Sequence, residues 1–162
     1  MKEYGYLLRD DPVYAQRARL FAAKCKDISE ILAELEPRAP RHPVPLRIAY
    51  HDSCHLQHAQ RISTQPREVL RRIPGLELID IPEGAICCGS AGIYNLVEPG
   101  PAAELGRRKV QNVLSCDAQA LVSSNPGCLL QIGSGLKQSG HDLPTMHMVE
   151  LLDASIRGGI KH

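Results

Sequence analysis

At 162 residues the chain suits one well-buried domain or two small ones. Nineteen basic residues against 18 acidic ones leave a net charge of +1, which argues against nucleic acid or an anionic membrane surface as a partner. No apolar run approaches the roughly 18–20 residues that cross a bilayer, and the N-terminus lacks the basic-then-apolar order of a signal peptide. These features predict a cytoplasmic protein with no transmembrane segment, associated with a membrane only through a complex.

Taken in chain order, residues 1–36 read as a helical segment. Asp11 and Pro12 suit a helix start, as capping side chain and first-turn proline. Val13, Leu20, Phe21, Ile28, Ile31, Leu32 and Leu35 then recur at helical spacing up to residue 36. Asp27 followed by Glu30 could start a second helix after a bend. Residues 37–45 hold four of the twelve prolines and read as an extended linker. The main domain, 46–162, alternates strands and helices. Strands are expected at 46–50, 76–81, 120–124 and 145–148. Helices are expected at 56–62 or 65–73, 101–115, 126–138 and 148–157. This order predicts an α/β fold, a mainly parallel, Rossmann-like sheet with helices on both faces.

Six cysteines are the informative residues. In a reducing cytosol they are metal-binding, catalytic or buried rather than disulfide-bonded. Sites in open parallel sheets form at the carboxyl ends of the strands. Cys54 follows the first expected strand, Cys87 and Cys88 the second, and Cys128 the third. Four thiols thus converge on one edge, a pattern that points to a metal centre. Asn125 and Pro126 suit a helix start that would place Cys128 in the first turn, where the helix dipole favours thiolate. Gly89 permits a turn whose amides can face cluster sulphurs.

The other candidates carry less. Cys25 and Cys116 read as small buried apolar residues. His147, at the end of the fourth strand, is a further candidate for ligation or for support of the ligands, as are Asn125, His55 and Gly89 for support. The basic segment from Arg61 to Arg72 reads as a solvated helix face.

Together these motifs resemble a known family. Cys54, 32 intervening residues, Cys87-Cys88-Gly89 and a later Pro126-Gly127-Cys128 are similar to the cysteine-rich "CCG" domain. That domain occurs in the cysteine-rich subunit of heterodisulfide reductase, in lactate-utilisation iron–sulphur proteins and in the glycolate oxidase iron–sulphur subunit. Tyr50 to Leu56, Cys87 to Gly92, Ser124 to Ile132 and Val149 to Leu152 resemble above all the C-terminal copy in the last of these. The resemblance implies a C-terminal piece of a larger subunit, joined to the rest of that iron–sulphur subunit and to a flavin-containing oxidase subunit. It also implies electron transfer in a glycolate oxidase-type complex, with Cys54, Cys87, Cys88 and Cys128 as metal ligands. The fuller family pattern ends in CxxC, and Asn125 stands at the first of that pair. Four thiolates suit a 4Fe–4S cluster or a tetrahedral zinc site. Three functions therefore stand open. The first is electron transfer, and the second is a zinc-stabilised interaction module in a lactate-utilisation or heterodisulfide reductase-like complex. The third, a thiol–disulfide enzyme using Cys87 or Cys88, is disfavoured by the lack of a CxxC motif. No flavin or nicotinamide fingerprint is present, so the chain is expected to oxidise no substrate alone.

Overall fold

The computed structural model describes residues 1–159. The chain divides into two compact units, Met1–Glu36 and the remainder from Pro37 onward.

The first unit holds three short helices, α1 (Tyr4–Leu7), α2 (Ala15–Lys24) and α3 (Ile28–Glu34). The helical stretch expected over 11–36 starts later than Asp11 and is divided in two. Asp11 accepts from the amides of Val13 and Tyr14 in a turn, and α2 starts only at Ala15. The second start is where sequence placed it. Asp27 accepts from the Ser29 amide while Glu30 accepts from the Asp27 amide at 2.7 Å, a reciprocal cap. Cys25 therefore lies at the end of α2 in extended backbone and is half-buried, where full burial was expected.

In the second unit, four strands form one parallel sheet in the order β2-β1-β3-β4. They are β1 (Arg47–His51), β2 (Glu77–Asp80), β3 (Ala120–Ser123) and β4 (Thr145–His147). All three pairings are parallel, with Ile48 opposite both Leu78 and Ala120, and Leu121 opposite Thr145. The central strands β1 and β3 are buried almost throughout, whereas the edge strands β2 and β4 are half-exposed. Continuous apolar runs such as Ala120-Leu121-Val122 are what a strand covered on both faces requires.

Helices α4 (Thr64–Arg71), α5 (Tyr94–Val97), α6 (Pro99–Leu114), α7 (Pro126–Gln138) and α8 (Met148–Arg157) complete the unit. Val110 and Val113 of α6 and Ile132 and Leu136 of α7 pack with Ala49 and Leu121 on one face of the sheet. Ile48, Tyr50 and Val122 alternate to the other face, and there α4 and α8 contribute buried Val69, Leu70, Leu151 and Leu152. The proline-rich stretch is tied to this unit. The amide of His42 donates to Ser155 O, and that of Val44 to Pro74 O, each at 2.9 Å.

Between β1 and α4 the chain forms a single π-helical turn, His55–Ala59, instead of an α-helix. Arg61, at φ 60°, ends it. Turns of this kind recur where a chain bends around a functional site. Among the described residues no helix is long and apolar enough to cross a membrane.

Candidate metal centre

Each of the four thiols sits just past the carboxyl end of a strand. Cys54 opens the π-turn after β1, Cys87 and Cys88 follow the turn after β2, and Cys128 lies in the first turn of α7. The Sγ atoms of Cys54 and Cys87 are 4.0 Å apart. Those of Cys88 and Cys128, with one ring nitrogen of His51, lie within 4.8 Å of one another, and all three residues are buried. None of the six cysteines is in a disulfide.

Local structure explains each placement. Asn125, in extended backbone, caps α7 by accepting from the Cys128 amide at 3.1 Å, with Pro126 beginning the helix. Gly89 adopts φ 90°, and its amide donates to Cys87 Sγ at 3.3 Å. A Cβ on Gly89 would overlap the carbonyl oxygen of Ala102 in α6. Gly89→Ala combines that overlap with a left-handed backbone, and we expect it to cost more than about 2 kcal/mol. Urea unfolding of the variant measures this; an unchanged midpoint would show that the Cys-Cys-Gly turn is not held against α6.

The turn before the pair is gripped from α6. Lys109, fully buried, donates from Nζ to the carbonyls of Glu83 and Gly84 at 3.1 and 3.2 Å. Arg108 and Asn112 bond the Glu83 carboxylate. On the other side, Arg67 bridges Asp52 and Asp80 at 2.6 Å each and lies over the Tyr50 ring. One member of the expected solvated basic face thus anchors the residue two places before Cys54.

The electrostatics are those of a crowded thiol cluster. The Cys128 thiol donates to Cys88, so Cys88 is pushed down to about 4 despite its burial, helped by the Ser90 amide. The same bond, burial and the neighbouring sulphurs push Cys128 up. Burial pushes Cys54 up, and the charge of Cys87 adds to it. Without a cation, Cys54, Cys88 and Cys128 therefore cannot all be thiolates. A metal supplies that positive charge, which is why binding one to thiols releases protons. Soft sulphur donors suit iron–sulphur clusters and zinc alike, so this donor set fits the group that the resemblance implies.

The remaining candidates have structural partners. His147 caps α8 by accepting from the Val149 amide at 3.3 Å. Exposed His55 bonds Gln60, although its amide also faces Cys54. Cys116 is buried near the end of α6 and donates to Asn112 O at 3.1 Å. Cys25 donates to Phe21 O at 3.3 Å. Cys25→Ala and Cys116→Ala should therefore leave metal content unchanged in elemental analysis. Metal loss from the Cys116 variant would mean that a ligand has been misplaced.

His51 was not foreseen as a site residue. As the last residue of β1 it lies two places beyond Ala49, on the face that packs with Cys88 and Cys128. Alternation along that strand was the signal that could have found it.

The Bacillus subtilis "Probable glycolate oxidase iron-sulfur subunit" is 37% identical over 156 residues, 94% of this chain and 35% of its own length. The Escherichia coli "Glycolate oxidase iron-sulfur subunit" is 34% identical over 158 residues, 96% of this chain and 37% of that protein. A fumarate reductase (CoM/CoB) subunit of Methanothermobacter marburgensis is 37% identical over 128 residues, 78% of this chain and 26% of its own. The chain thus spans about a third of the length of the glycolate oxidase relatives. The family of cysteine-rich (CCG) domains matches residues 48–133, from β1 through the first half of α7. That stretch carries all four thiols and is more than half of the chain, which therefore belongs to the CCG family of cysteine-rich domains.

Proposed function

We propose that this chain is an electron-transfer domain in a glycolate oxidase-type complex, with an iron–sulphur centre held by Cys54, Cys87, Cys88 and Cys128. The observation that carries the reading is the placement of four thiols past the carboxyl ends of β1, β2 and β3, with Cys54 beside Cys87 and Cys88 beside Cys128, on loops fixed by caps and buried polar contacts. The names of the relatives support iron–sulphur chemistry and a place among subunits. When bound, such a centre takes up and releases single electrons. The chain's own part is to hold the four sulphurs, exclude water at Cys88 and Cys128, and aim the Gly89 and Ser90 amides at sulphur. Its partners would be a flavin-containing oxidase subunit and the rest of an iron–sulphur subunit. The donor to that flavin would be glycolate or lactate, and the centre a 4Fe–4S cluster.

The assay is stopped-flow reduction by glycolate in the assembled complex, with and without Cys87 and Cys88. Flavin reduction should persist and onward transfer should fail when both cysteines are replaced. Normal transfer in that variant would remove the electron-carrying role.

The close sulphur spacing favours a second reading, a zinc-stabilised interaction module. Two sulphurs on one ion at about 2.3 Å each lie at most about 4.6 Å apart. The 4.0 Å between Cys54 and Cys87 is within that limit.

A further inference from the structure

His51 is 1% exposed, and among the described residues neither ring nitrogen makes a hydrogen bond. A buried imidazole in that state leaves its polar atoms uncompensated for the water they lose. The sulphurs of Cys88 and Cys128 lie within 4.8 Å of one of its nitrogens. The backbone around it is firmly held. The His51 carbonyl accepts from Ser123 Oγ at 3.0 Å, and β1 pairs on both sides. The ring is therefore presented to the thiols from a backbone fixed by pairing to β3 and by the Ser123 hydroxyl, which is how ligands are best held.

Distances decide what that presentation can do. A nitrogen at about 2.0–2.1 Å and a sulphur at about 2.3 Å from one ion lie at most about 4.4 Å apart. On a tetrahedral ion the same bonds put nitrogen and sulphur about 3.6 Å apart, so atoms within 4.8 Å of one another need to close by at most about 1.2 Å. Neutral imidazole is a good ligand for iron and zinc, and mixed sulphur–nitrogen sets are stable on both. Nitrogen in place of sulphur also raises the potential of an iron–sulphur centre.

We propose that His51 is a direct ligand of the metal centre, a fifth donor beside the four thiolates, so that one metal site carries two protein ligands. This rests on the reading of the cysteines as metal ligands, and it adds a donor that lies outside the cysteine motifs.

The test uses the full chain grown with 15N-histidine, loaded anaerobically with iron and sulphide, reduced, and measured by pulsed EPR. Natural-abundance protein should show a strong 14N coupling that becomes a 15N coupling on labelling and disappears in His51→Ala. A parallel sample loaded with zinc alone should show one nitrogen at about 2.0–2.1 Å in X-ray absorption, again lost in that variant. The unmodified protein carries the decisive measurement, so a misfolded His51→Ala does not spare the idea, and His51→Gln provides a second variant. An assembled cluster without histidine coupling, or a zinc site of sulphurs only, overturns the proposal. Failure to assemble iron and sulphide would count against the iron–sulphur reading instead, and the zinc sample would then decide on His51.

Discussion

Replacing Cys88 by serine should abolish stable metal binding. Cys88 is the thiol pushed towards thiolate by the Cys128 thiol and the Ser90 amide, and it lies 1% exposed between α6 and α7. Serine oxygen is too hard a donor to replace sulphur and keeps its proton near neutral pH. The loss should exceed the roughly 10–100-fold that follows removal of a residue that only supports a ligand. Competition with a chromogenic chelator, run on anaerobically loaded protein, measures it. A variant within about threefold of the parent would take Cys88 out of the ligand set.

The second large effect is expected at Lys109, which touches none of the sulphurs through a hydrogen bond. Its stem is fully buried, and its ammonium satisfies two carbonyls of the turn that leads into Cys87. Burial pushes its pKa down, while the sulphurs of Cys88 and Cys87 and the carboxylates of Glu83 and Asp52 oppose that shift. Lys109→Ala removes the stem and both hydrogen bonds at once. The expected cost is about 3 kcal/mol or more, or roughly 6–12 °C in Tm for a chain of this size. Lys109→Met keeps most of the apolar volume and should recover part of it. Calorimetry of both variants checks this; two unchanged melting temperatures would show that the turn stands without its lysine.

These two residues also mark how far the sequence could be read. Cys88 was legible because adjacent cysteines after an apolar strand have few bland explanations. The strands themselves were visible as short apolar runs, and the structure moves their ends by one residue or so. The start of α7 was readable from Asn125 and Pro126, whose chemistry is local. Lys109 was not readable, because a lysine between turns of a helix looks solvated until the Glu83 turn closes over it. Arg67 was missed for the same reason, since its carboxylates come from two different strand ends. The π-turn after Cys54 has no periodic signature, and an ordinary helix was expected across it, over 56–62, or beyond it, over 65–73. What escaped the sequence is in each case a contact between elements rather than a property of one.

The central claim is that Cys54, Cys87, Cys88 and Cys128 together hold an iron–sulphur centre. Anaerobic purification of the full chain, followed by iron and acid-labile sulphide analysis, tests it most directly. The account predicts iron and sulphide in near-equal amounts, with both lost together in each of the four single cysteine variants. Stoichiometric zinc without sulphide under the same conditions, or full iron and sulphide retained by any of the four variants, would contradict it.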